Sequence, residues 1–179
     1  MKVLVKKNCS KAIKLLVGAS IIYSSMDLFR YYCPITVRYA DLDPQGHVNN
    51  ARYLTYIEQA RMGYMLELGL WDRKSFLDIG IILAEARITY RAPILLGQAV
   101  QVGVRVVRIG SKSLDMAYVL VDKDSEGVLA QASTILVAYD YRQARSINVP
   151  PDWRSAIQQF EGLEVGPTVN TSPQTQEDA

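Results

Sequence analysis

The chain has 179 residues, the size of one domain, and its 49% hydrophobic and 21% charged residues suit a packed core and exclude general disorder. Its two cysteines, Cys9 and Cys33, argue against a disulfide framework and fit a cytoplasmic setting. The net charge of +2 is local: residues 1–25 hold five lysines and no acid, and the remaining 15 basic and 18 acidic residues carry −3, which excludes a global basic field for nucleic acid.

Residues 1–25 begin with lysines and continue into an apolar run over 15–23. This is the order of a signal peptide, but the run is too short and too weakly apolar to span a bilayer. A start placed ahead of the true one is the favoured reading, since Met26 directly precedes the first element. A membrane-touching basic helix and an export signal are the alternatives. Residues 1–25 are therefore expected to be an appendage, 26–161 the folded domain and 162–179, rich in Thr, Pro, Gln, Asn and Ser, a disordered tail.

The β-branched stretch 35–39 predicts a first strand, and Asp41-Leu-Asp-Pro-Gln-Gly-His47 supplies turn chemistry after it. Tyr53, Ile57, Ala60, Tyr64 and Leu68 recur at three- and four-residue steps, with Leu54 and Met65 widening the stripe. That spacing predicts a helix over 50–68, buried on a wide face and ended by Gly69. After a connecting piece at 71–78 the period falls to two. Ala84, Ala86, Ile88 and Tyr90 alternate with polar residues, as do Val100, Val102, Val104 and Val106. Further strands are predicted over 114–123 and 128–139, joined by the turn Asp124-Ser-Glu-Gly127. Asp152 is placed to cap a short helix over 153–160. The order is that of an α+β domain: one long helix against an antiparallel sheet whose open edges favour a homodimer or homotetramer.

The reactive side chains concentrate between Arg38 and Tyr53, in a loop that runs into the buried helix. A helix N-terminus offers free N–H groups and a positive dipole end, able to stabilise an oxyanion. A carboxylate beside it can serve as base or nucleophile. The same residues also suit plain turn formation and capping, so residue chemistry alone leaves both readings open. One histidine and two carboxylates, with no cysteine near in sequence, make a poor zinc set, and no metal is expected.

The run Val37-Arg-Tyr-Ala-Asp-Leu-Asp-Pro-Gln-Gly-His-Val-Asn-Asn-Ala-Arg-Tyr53 resembles the signature of the 4-hydroxybenzoyl-CoA thioesterase-like branch of the hot-dog superfamily. Its His47-Val-Asn-Asn-Ala-Arg-Tyr53 part is especially similar to bacterial long-chain acyl-CoA thioesterases of that branch. Tyr90-Arg-Ala-Pro93 resembles the family's Tyr-Arg-x-Pro strand, and Gly110-Ser-Lys-Ser113 its tight turn. The resemblance spans residues 28–150. It implies a hot-dog fold, one long central helix wrapped by a curved antiparallel sheet, and hydrolysis of a medium- to long-chain fatty acyl-CoA without a separate cofactor, coenzyme A being part of the substrate.

Residue by residue, the resemblance makes Asp43 the catalytic carboxylate, as nucleophile or general base, and Asn50 the backbone N–H donor to the thioester oxygen. His47, Asn49 and Tyr53 would line the pocket. Arg108, Ser111, Lys112 and Ser113 would hold the nucleotide phosphates of CoA. Asp41 is assigned to holding the loop. Glu58 is a second candidate carboxylate, for which an ion pair with Arg61 is the simpler role. The alternatives are an acyl-carrier-protein thioesterase and a non-catalytic acyl-CoA-binding module. A hot-dog enoyl-CoA hydratase is discounted because the chain has one histidine in all.

Overall fold

The computed structural model describes residues 28–75, 77 and 80–163. The appendage 1–25 and the tail from 164 onward lie outside the described residues, as does part of the connecting piece 71–78. In chain order the elements are β1 (Tyr31–Ile35), a single 3-10 turn (Tyr39–Asp41), α1 (Asn50–Glu67), β2 (Ile81–Tyr90), β3 (Val100–Ile109), β4 (Ser113–Asp122), β5 (Val128–Asp140), β6 (Arg145–Ser146) and α2 (Pro151–Glu161). The strands follow the order β1-β3-β4-β5-β2, with β6 attached to β5.

The first strand lies earlier than the sequence predicts. It pairs antiparallel with β3 from Tyr31 opposite Val104 to Ile35 opposite Val100, and ends where the predicted strand was to begin. Pro34 lacks an N–H, and a strand at the end of a sheet tolerates that loss. The extended chain stops because Asp41 reaches back three residues: its carboxylate accepts the Arg38 N–H at 3.0 Å, and the Asp41 N–H bonds to the Arg38 carbonyl at 2.9 Å. That reciprocal pairing winds residues 39–41 into a turn.

The predicted helix is present, with Tyr53, Ile57, Ala60, Tyr64 and Met65 buried, and Tyr56 and Arg61 beside them. Leu54 departs from the predicted stripe and is 41% exposed. Leu68 lies one residue past the helix end and is half-buried. Gly69 ends the helix as predicted: it sits at φ +68°, its N–H bonds to the Leu66 carbonyl at 3.0 Å and the Leu70 N–H bonds to the Met65 carbonyl at 2.8 Å. These are the paired bonds of a Schellman cap, and only glycine adopts that φ without cost.

Val100, Val102, Val104 and Val106 are all buried, as their alternation predicts. The alternation in β2 does not produce a buried face. Apart from Ile81, which is buried, and Ile88, which is half-buried, the strand is exposed throughout, and it stands at the end of the strand order. The final helix starts earlier than predicted, with Pro151 at its first position and Asp152 inside its first turn rather than capping it. Proline is suited to that position because its φ is already helical and its missing N–H would have no partner there. Gly162, at φ +68°, closes the helix.

The chain divides into two compact units. Among the described residues the first comprises 28–64, 87–105 and 117–133. Its buried core includes Tyr53, Ile57, Tyr64, Ile94, Val102, Val104 and Leu120. The second comprises the described residues of 65–86, 106–116 and 134–163. Met65, Leu70, Val106, Met116, Leu136 and Ile157 are buried in it, and the Glu161 carboxylate accepts the Val106 N–H at 3.0 Å. Among the described residues no helix is long and apolar enough to cross a membrane.

Gly103, in the middle of β3, is fixed by space rather than by φ. A Cβ there would lie 2.9 Å from the Tyr32 ring, 2.9 Å from Val119 Cγ1 and 3.1 Å from the Phe29 ring. Overpacking of a filled site is destabilising, so Gly103→Ala is expected to cost about 1–3 kcal/mol and Gly103→Val more. Thermal melts of both variants check this, and unchanged melting would mean that the three neighbours yield freely.

Candidate active site

The loop after the first strand is held by its own backbone. Residues 43–47 form a closed turn in which the Asp43 N–H bonds to the His47 carbonyl at 2.8 Å and the Gly46 N–H to the Asp43 carbonyl at 3.0 Å. Gly46 takes φ +78°, a left-handed conformation that glycine reaches without strain. Leu42 and Val48 bridge across the base of the turn, and His47 bridges to Leu95. The Val48 N–H bonds to the Ile94 carbonyl at 2.8 Å. The turn is thus pinned to the segment that follows β2.

Asn49 forms the junction with α1. Its N–H bonds to the Asp41 carbonyl at 2.8 Å, its Oδ1 accepts the Ala51 N–H at 3.0 Å, and its carbonyl accepts the Arg52 N–H at 2.8 Å. It is therefore an N-cap, a role its side chain fills well. The Asn50 N–H, at the positive end of the helix, has no partner among the described residues.

Asp43, His47, Val48, Asn50, Tyr53 and the run Tyr90-Arg-Ala-Pro93 line an open cleft of about 350 Å³. Asp43 is half-buried. Its Oδ1 accepts the N–H groups of Gln45 at 3.0 Å and His47 at 3.3 Å. Tyr90 donates its hydroxyl to the Asn50 carbonyl at 3.1 Å and meets the Tyr53 ring edge-on, with centroids 5.0 Å apart. Burial, foremost, pushes the Tyr53 phenol above its ordinary pKa and keeps it neutral. Arg91 bonds to Gln131 Oε1 at 3.2 Å.

Of the predicted site residues, Asp43, His47, Asn50 and Tyr53 therefore meet at one cleft, and Asn49 stands behind it as the helix cap. Glu58 is exposed on α1, 3.7 Å from Arg61, and does not line the cleft. Arg108, Ser111, Lys112 and Ser113 belong to the second compact unit. There Arg108 is paired with Asp115 at 2.7 Å, the Ser113 carbonyl accepts the Gly110 N–H at 2.8 Å, and Lys112 Nζ lies 3.4 Å from Ser146 Oγ. Tyr90, Arg91 and Pro93 were legible only as a family motif and carried no predicted site role. A strand ending in Arg-x-Pro is the signal that marks them, since Pro stops the ladder and releases the flanking side chains.

Asp41 is wholly buried, and its carboxylate is saturated. Besides the Arg38 N–H it accepts the Arg38 guanidinium at 2.8 and 3.1 Å and the Tyr56 hydroxyl at 2.9 Å, while Arg52 Nε lies 3.7 Å away. The Arg38 guanidinium, with its N–H and the Tyr56 hydroxyl, outweighs burial and holds the Asp41 carboxyl down at about 2, against an ordinary 3.8. Burial and the Asp41 charge push the Tyr56 phenol upward.

A depressed folded-state pKa stabilises the fold fully above the ordinary value and loses that contribution as pH falls through the folded value. Asp41 thus contributes an acid-sensitive increment that disappears between pH 3.8 and about 2. Asp41→Asn is expected to destabilise the protein by about 1–3 kcal/mol near neutrality, the cost of an impaired buried hydrogen-bond set. Its Tm should also vary less with pH across that acid window than the parent's. Identical Tm–pH curves for the two proteins would contradict this role.

Comparison with known proteins places this chain in a family. Residues 37–157 match the thioesterase-like superfamily. The long-chain acyl-CoA thioesterase FadM of Escherichia coli K12 is 26% identical over 126 residues, which cover 70% of this chain and 96% of the relative. The 1,4-dihydroxy-2-naphthoyl-CoA hydrolase of Thermosynechococcus vestitus is 28% identical over 122 residues, covering 66% of this chain and 84% of the relative. The crystal structure of a thioesterase from Thermus thermophilus, complexed with coenzyme A and zinc, is 33% identical. It superposes with a TM-score of 0.68 and covers 78% of this chain and 100% of its own. The chain belongs to the thioesterase-like superfamily and is a thioester hydrolase of the hot-dog fold.

Proposed function

We propose that this protein hydrolyses a medium- to long-chain fatty acyl-CoA to the free acid and CoA, in the cytoplasm, with no cofactor beyond the CoA carried by its substrate. One observation carries the reading: the half-buried Asp43 lines the same cleft as Asn50, whose N–H has no partner among the described residues. The thioester carbonyl oxygen accepts the Asn50 N–H, where the helix terminus favours the negative charge that develops on attack. Two routes serve the carboxylate. As nucleophile it attacks the carbonyl carbon, expels CoA as thiolate and forms an anhydride that water then cleaves, regenerating Asp43. As general base it takes a proton from water, whose oxygen attacks the carbon, and the departing thiolate collects the proton. His47 and Tyr53 shape the walls, and Asn49 keeps the helix start in place. Arg108, Ser111, Lys112 and Ser113 take the CoA phosphates in this reading. Arg108 is already neutralised by Asp115, so the charge there comes mainly from Lys112.

Asp43→Asn is expected to lower kcat for decanoyl-CoA by at least ~10²-fold with Tm near that of the parent. Glu58→Gln should retain most of the activity. An Asp43→Asn protein keeping more than a tenth of kcat would move the chemistry elsewhere, with Glu58 next in line. Tight acyl-CoA binding without turnover by the parent protein would point instead to a binding module. Faster turnover of acyl-carrier protein than of acyl-CoA would change the carrier.

The working assembly proposed is a homodimer or homotetramer. Strand β2 ends the strand order with Ile82, Leu83 and Tyr90 between 42% and 47% exposed, an edge suited to pairing with a second copy. Light scattering is expected to give a multiple of the chain mass, and a stable, fully active monomer would sink the idea.

A further inference from the structure

Gln45 sits at the tip of the Asp43 turn, exposed to solvent, yet its side chain folds back onto the carboxylate. With the amide nitrogen facing Asp43, Nε2 lies 3.0 Å from Oδ1 and 3.3 Å from Oδ2. The opposite orientation would set an amide oxygen against carboxylate oxygens, acceptor against acceptor, so the donor faces inward. Oδ1 then receives three N–H groups: the Gln45 backbone at 3.0 Å, the His47 backbone at 3.3 Å and the Gln45 amide. Among the described residues Oδ2 receives only the longer amide contact.

We infer that Gln45 is a positioning residue for Asp43. Its carboxamide and the two backbone N–H groups fix the carboxylate's rotation, occupy the lone pairs of Oδ1 and leave Oδ2 as the oxygen that reacts. Backbone donors alone grip one oxygen and allow the group to swing about it. A donor straddling both oxygens stops that swing, and misplacing a reacting atom by an ångström is costly in rate. An exposed amide–carboxylate bond contributes little to folding, because water competes for both partners. The contact therefore serves orientation rather than stability. The inference rests on Asp43 being the reacting carboxylate.

The test is steady-state hydrolysis of decanoyl-CoA across pH, with thermal melts, for the full chain and its Gln45→Met, Gln45→Glu and Asp43→Asn variants. Methionine keeps the length and loses the donor. It should lower kcat by about 3–10-fold while KM stays within about twofold and Tm is held. Glutamate sets a second carboxylate against Asp43, so the pair shares a proton and the acid limb of the pH–rate profile should move up by about one unit or more. Any other pattern overturns the inference: parental kcat in Gln45→Met, a loss of rate that tracks a loss of Tm, or an unmoved acid limb in Gln45→Glu. The Asp43→Asn protein separates the two levels. If it stays active, the reading of Asp43 itself has failed; if it is inactive while Gln45→Met matches the parent, only the role of Gln45 has failed.

Discussion

The buried carboxylate of Asp41 is the constraint on which the rest of the site depends. A charge removed from water must be met by donors, or the cost exceeds what a single domain can sustain. Asp41 is met from two directions: by Arg38, three residues earlier, and by Tyr56, two turns into α1. Its backbone carbonyl holds Asn49 at the same time. One residue thus ties the end of the extended chain, the cap of the helix and the body of the helix together. That triple attachment fixes the two ends of the segment between Asp41 and Asn50, and the bonds of the turn itself and to Ile94 place the Asp43 carboxylate between them.

Two aspartates two residues apart thus stand in opposite environments. Asp41 has spent its lone pairs on a guanidinium, a phenol and an N–H, and has no surface through which a substrate could reach it. Asp43 is only half-buried, borders the cleft and keeps one oxygen lightly engaged. Arg38 is 62% exposed at its side chain, so part of the compensating charge stays hydrated and the buried anion avoids the full penalty of a buried pair. A structural acid and the reactive acid proposed here need different depths, and the chain supplies the change within two residues, where the 3-10 turn at 39–41 gives way to the turn at 43–47.

Much of this was legible in the sequence where a pattern is repeated. The four valines of β3 and the stripe Tyr53–Ile57–Ala60–Tyr64 of α1 each repeat their period often enough to mark a buried face. The cleft residues Asp43, His47, Asn50 and Tyr53 lie in one continuous run, so a single motif brought them together. Features set by long-range partners were less legible. The first strand lies at 31–35 because β3 is its partner there, and an Asp at position 41 does not announce that its carboxylate will pull residues 39–41 out of extension. Leu54 belongs to the apolar pattern of the helix, yet local periodicity cannot say that its side of the helix is uncovered among the described residues. The contribution of Tyr90 to Pro93 depends on a contact across forty residues, from the Tyr90 hydroxyl to the Asn50 carbonyl.

The two ends of the strand order differ in a way that bears on assembly. At one end β1 is five residues long and contains Pro34, whose missing N–H interrupts any row of donors offered to another strand. At the other end β2 is ten residues long, contains no proline and exposes apolar side chains at successive positions, Ile82 and Leu83, hence on opposite faces. Proteins blunt the edges they must keep solitary with short strands, prolines and covering elements. The first edge carries two of those devices, and β2 lacks both. A long edge whose apolar face, from Ile82 to Tyr90, stays largely exposed costs solubility unless something covers it, and a second copy brings the same edge in the antiparallel sense that a twofold axis requires. Tyr90, at the end of that strand, also lines the cleft through its contacts with Tyr53 and Asn50. Pairing at β2 would therefore restrain the strand that carries one wall of the active site, linking the geometry of the cleft to the state of assembly.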